Sequence, residues 1–145
     1  WNNHLTDTMI RPLYVNADGD LTSGWSPVGA SSLWDCVDEA FFDGDSTYVA
    51  NANTGSRVSF NIQNPPGSEN IRAVIVNSAC RKDDANERQW KNFLRISGTN
   101  YDDPNAATVA TNAYVHRSSV WFTNPSNDGD WTAGDINNLQ IGIVT

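Results

Sequence analysis

Apolar and polar residues alternate with period two along much of this chain. Arg57 to Ile62 is the clearest case, with Val58, Phe60 and Ile62 predicted inward and Arg57, Ser59 and Asn61 outward. Tyr114 to Phe122 alternates as strongly: Tyr114, His116, Ser118, Val120 and Phe122 oppose Val115, Arg117, Ser119 and Trp121. Leu139 to Val144 puts Leu139, Ile141 and Ile143 on one face. Ile71 to Cys80 is the longest apolar run. Ile71, Ala73 and Ile75 lie on one side and Val74 and Val76 on the other, the pattern of a central strand. Gln89 to Ser97 predicts a strand with Trp90, Phe93 or Leu94, and Ile96 buried. Its period slips, so a bulge is expected near Asn92.

The stretch Leu33 to Phe60 organises the rest. It reads as strand, acidic turn, strand, glycine turn, strand, with Trp34, Cys36, Phe41, Tyr48 and Phe60 inward. Upstream, Ile10 to Val15 predicts an edge strand, because Pro12 has no amide to donate. Asn16 to Asp20 reads as a turn, Leu21 to Trp25 as a short strand, and Ala106 to Ala113 as strand in preference to helix. Thr132 and Asp135 have capping-box spacing, which predicts a helical turn over Ile136 to Asn138. Strands number about eight to ten, with turn signals roughly every ten residues. The expected fold is a single all-β sandwich, jelly-roll-like, over residues 10–145, preceded by an N-terminal arm over residues 1–9.

Composition narrows the function. A chain of 145 residues is one domain, and six Trp and five Phe give it a core. The net charge of −8 comes from 9 basic and 17 acidic residues. Such a surface repels nucleic acid and anionic membrane. The densest basic group, Arg81, Lys82, Arg88, Lys91 and Arg95, is diluted by Asp83, Asp84 and Glu87. No apolar run is long enough to span a bilayer, so no membrane partner is expected. Cys36 and Cys80 lack CxxC partners and read as buried free thiols or as one disulfide between neighbouring strands.

Candidate chemistry is sparse. Asp38, Glu39, Asp43 and Asp45 crowd one turn and are the candidate ligands of a structural calcium ion; no other cofactor is expected. Asn16, Asp18, Asp20 and Thr22, and Asn127, Asp128 and Asp130, make weaker acidic turns, and Asp-Gly is also a good hairpin pair. No glutamate sits in a glycosidase-like setting, and no nucleophile elbow, phosphate loop or spaced His pair occurs, so no catalytic residue is nominated. Trp25 and Trp131 follow turn residues and are the expected surface tryptophans, able to stack on a sugar, whereas Trp34, Trp90 and Trp121 read as core. Trp1, Leu5, Met9 and Ile10 are the apolar residues of the arm.

Trp34 with Val37-Asp38-Glu39, Asp43-Gly-Asp45-Ser-Thr-Tyr48-Val49 and Val58-Ser-Phe60 resembles a β-sandwich domain of tailed-bacteriophage virion proteins. So do the later residues Gly98-Thr-Asn-Tyr101, Trp121, Asn124-Pro125, Trp131-Thr132, Asn137, Leu139-Gln140 and Gly142. Similar domains occur in bacterial extracellular proteins. The resemblance spans about residues 25–145. It implies a non-enzymatic structural subunit, a capsid decoration or tail or fibre protein, in a virion or otherwise extracellular. Its partners would be other particle subunits and further copies of itself, with a trimer as the expected assembly. A carbohydrate-binding module and a pilus-like subunit that donates its N-terminal strand, Ile10 to Val15, are the alternatives.

Overall fold

The computed structural model describes residues 9–67 and 70–145. Trp1 and Leu5 of the expected arm lie outside the described residues. The protein is an all-β sandwich. Its strands are β1 Val15–Asp18, β2 Ser26–Val28, β3 Tyr48–Ala50, β4 Arg57–Ile62, β5 Val74–Cys80, β6 Gln89–Ile96, β7 Thr99–Asp102, β8 Ala107–Thr108, β9 Val115–Trp121 and β10 Leu139–Val144. A short helix, α1 Ala133–Asn137, precedes β10. It begins at the expected capping box, in which Thr132 Oγ1 accepts from the Asp135 amide and the Asp135 carboxylate accepts from the Thr132 amide.

One layer is an antiparallel sheet in the order β1-β4-β10-β6-β7, with β8 also on β6. Strands distant in sequence are neighbours, the kind of interleaving that jelly-roll topologies have. Directly opposed residues share a face, so the pairs Val58↔Ile143, Phe60↔Ile141 and Leu94↔Ile141 define the inner side. Two separate ribbons cover that side: β2–β3 and β5–β9. Val58 and Phe60 pack with Val15 and Leu33, and with Trp25 and Val49 at the β2–β3 end. Leu94, Ile96 and Leu139 pack with Val76, Trp131 and Ile136 at the β5–β9 end.

The outer side is also closed. Residues Asp18 to Leu21 fold over β4: the Gly19 amide donates to Ser59 O at 2.8 Å, and the Leu21 amide to Ser59 Oγ at 3.1 Å. Ser59 is therefore buried although the alternation placed it outward. Phe93, also on that side and 0% exposed, lies beneath the Arg57 guanidinium, 4.9 Å from the ring centre. Asp102 holds Arg57 with two bonds of 2.6 and 2.8 Å.

Several expectations are corrected. Leu33 to Asp38 is no strand. Trp34–Cys36 form a single 3-10 turn, because the Trp34 amide is taken by Asp18 Oδ1 at 2.7 Å and the Cys36 amide turns back to Leu33 O. Phe41, expected inward, is 86% exposed. β6 has no bulge at Asn92. Its pairing with β10 runs unbroken from Lys91 to Ile96, and Asn92 simply points inward. The irregularity lies in β1, between Val15 and Ala17. The edge position of the first strand is as expected, but it begins only at Val15, so Asn16 to Asp18 are strand and not turn. β5, read as central, pairs among the described residues with β9 alone. Both cysteines are free.

Candidate binding cleft

Between the two ribbons lies a cleft of about 1220 Å³. Its floor is the inner side of the main sheet, with Phe60, Trp90, Ile141 and Ile143. Tyr48 to Ala50 and Trp25 form one wall, and Val76 to Cys80 the other. The acidic turn and the start of β9 meet at its mouth.

A hydrogen-bonded network fixes the β5–β9 wall to the floor. Asn92, fully buried on β6, donates from Nδ2 to Val76 O at 3.1 Å and to Ser119 Oγ at 3.0 Å. Its Oδ1 accepts from Ser78 Oγ at 2.6 Å, and Ser78 Oγ accepts from Trp90 Nε1 at 3.0 Å. Ser119 in turn donates to Asp103 Oδ2, which Arg117 also holds at 2.7 Å. Buried polar groups tolerate this position because each has found a partner.

The network makes stability depend on pH. Burial pushes the Asp103 carboxyl up, but the bonds from Ser119, the Asn105 amide and Arg117 bring it below the ordinary 3.8. Asp102 is lowered too, chiefly by its bonds with Arg57. A carboxylate depressed in the folded state stabilises above its unfolded value, and that contribution is lost as pH falls through the folded one. Stability should therefore be level near neutrality and fall below about pH 4. Urea unfolding at a series of pH values checks this, and Asp103→Asn should make the acid slope shallower.

At the mouth, Phe42 packs edge-on against Tyr114 and His116, with ring centres 4.7 and 5.1 Å away. Tyr114 Oη donates to Asp45 Oδ1 at 2.7 Å, and Arg81 pairs with the same oxygen at 3.0 Å. Burial, followed by the bond to Asp45, pushes the Tyr114 phenol up to about 12. Burial alone pushes the Cys80 thiol up to about 12. Neither supplies an anion near neutral pH.

The four acidic residues of this turn do not converge. Glu39 Oε1 and Asp43 Oδ2 both accept from Thr47 Oγ1, at 2.5 and 2.8 Å, and Asp43 also caps the Thr47 amide. Asp45 faces Arg81 and Tyr114, and Asp38 takes no part in these contacts. Among the described residues, no group of three or more His, Cys, Asp or Glu side chains is placed to hold a metal ion. The Asn16-to-Thr22 residues are spent similarly, with Asp18 on Trp34 and Asp20 on Arg95 at 3.0 Å.

The two tryptophans expected to stack on sugars part company. Trp131 is 3% exposed, and its Nε1 donates to Trp121 O at 2.9 Å, so it is a core residue. Trp25 does line the cleft. Met9 and Ile10, the described part of the arm, are 65% and 86% exposed. Asn92, Ser119 and Asp103, which set the wall, escaped sequence reading; an asparagine amid Trp90, Leu94 and Ile96 at even spacing was the available signal. Compared with known protein families, with curated proteins and with solved structures, the chain matches none.

Proposed function

We propose that this protein is a non-enzymatic structural subunit of an extracellular particle, a tailed-phage virion being the setting its sequence pattern suggests. The observation that carries this reading is the outer face of the β5–β9 ribbon. Ile75 and Val120 are paired directly across the two strands, and Phe122 follows two residues on. They are 47%, 44% and 74% exposed. An apolar stripe of this kind on a sheet marks a surface that another subunit covers. The virion setting rests on the scattered aromatic and turn residues of the sequence.

Light scattering tests the reading. The full chain is expected to assemble as trimers or larger species, and Ile75→Ser with Phe122→Ser should raise the concentration needed about tenfold or more. A protein that is monomeric at every concentration, alone and with its particle, would contradict it. Trp25 on the cleft wall favours a second reading, a carbohydrate-binding module. Glycan binding that disappears in a folded Trp25→Ala variant would select that one.

A further inference from the structure

The inner layer of the sandwich is incomplete between its ribbons. Among the described residues β3 pairs only with β2, and β5 only with β9. Tyr48 to Ala50 and Val76 to Cys80 face the same cleft from opposite walls, over an apolar floor. A run with the pattern of a central strand is thus left with one neighbour. Trp25 Nε1, buried on the cleft wall, has no hydrogen-bond partner among the described residues. We propose that the cleft is a strand-acceptor groove, filled by the N-terminal arm of a second copy of this chain. The proposal rests on the structural-subunit reading and names the contact that joins the subunits.

An extended strand suits the site. The cleft, about 1220 Å³, exceeds the ~300–1,000 Å³ typical of small-molecule pockets. Backbone added to the free strand edges would satisfy their amides and carbonyls. The arm has the matching pattern. In an extended chain Trp1, Leu5 and Met9 point to one side, with Asn3 and Asp7, while Asn2, His4, Thr6 and Thr8 point to the other. An extended arm would turn every apolar residue of residues 1–9 to one side, together with Asn3 and Asp7. Nine residues reach about 30 Å, enough to run the length of β5 at about 23 Å.

The occupant proposed is the arm of a second copy, and assembly separates it from the chain's own arm. Leu13 packs against the buried cluster of Val76, Leu94, Ile96, Trp131, Ile136 and Leu139, and Val15 is paired with Ile62 in β1. The segment proposed to exchange is therefore the arm that precedes Ile10 to Val15. Preceding Leu13, residues 9–12 are all exposed.

The test compares the full chain, a chain beginning at Arg11, and the full chain carrying Leu5→Asp and Met9→Asp, by light scattering. A synthetic peptide of residues 1–10 is then added to the shortened chain. We expect assembly only by the unaltered chain, and one-to-one binding of the peptide, weakened about tenfold or more by Leu5→Asp in the peptide. Assembly retained by both arm variants would overturn the groove proposal and leave the subunit reading on the Ile75–Val120–Phe122 face. A full chain that stays monomeric at every concentration, alone and with its particle, would overturn both, and peptide failing to bind a folded shortened chain would overturn the groove alone.

Discussion

Gly142→Ala is expected to cost about 3 kcal/mol and to lower the melting temperature by roughly 10 °C. Gly142 sits in β10 with Ser59 of β4 on one side and Phe93 of β6 on the other. A Cβ there would collide with the Val58 carbonyl oxygen and come within 2.7 Å of the Phe93 ring. Neither neighbour can give way. Val58 is backbone of a central strand, and Phe93 is 0% exposed and pinned under Arg57. Typical domains have only about 5–15 kcal/mol of stability, so this single methyl group takes a large share. Thermal unfolding followed by circular dichroism gives the answer. A melting curve close to that of the unaltered protein would mean that Phe93 is not seated on Gly142.

Asn92→Leu is the second large effect, expected at about 2–4 kcal/mol. The side chain is close in size, so the loss is one of hydrogen bonding and not of volume. It removes the donor to Val76 O, the acceptor of the Ser78 hydroxyl proton and one donor to Ser119 Oγ, all now supplied by one amide. The consequence reaches beyond stability. Asn92 ties β5 to the main sheet, so its loss should let one wall of the cleft move and weaken peptide binding in the groove. Urea unfolding measures the first effect and titration of the shortened chain with the arm peptide the second. Undiminished stability would mean that the network is not closed as described.

Much of the fold was legible because it depends on local pattern. The Arg57–Ile62 and Leu139–Val144 strands run between the expected residues, and the capping box at Thr132 formed. Errors arose where a distant partner decides the outcome. The Leu33–Asp38 alternation lost to an Asp18 carboxylate that takes the Trp34 amide. Trp131 went inward because the Trp121 carbonyl offers its indole nitrogen an acceptor within the core. Asn92 looked like a break in the strand because polarity suggests outward or bulged; its partners come from β5 and β9, far away in sequence. The cleft itself was not legible. Period-two patterning shows which residues face inward, but it does not say which strands lie side by side.

The most direct measurement is amide hydrogen exchange across β3 and β5, in the full chain at assembling concentration and in the chain beginning at Arg11. Strand amides alternate between the two edges, so the amides paired with β2 and β9 serve as internal controls. Strand addition predicts that the remaining, cleft-facing amides of Tyr48–Ala50 and Val74–Cys80 exchange at least about a hundredfold more slowly in the full chain, while the controls are unchanged. Equal exchange at those amides in the two proteins, with the full chain assembled, would contradict the groove.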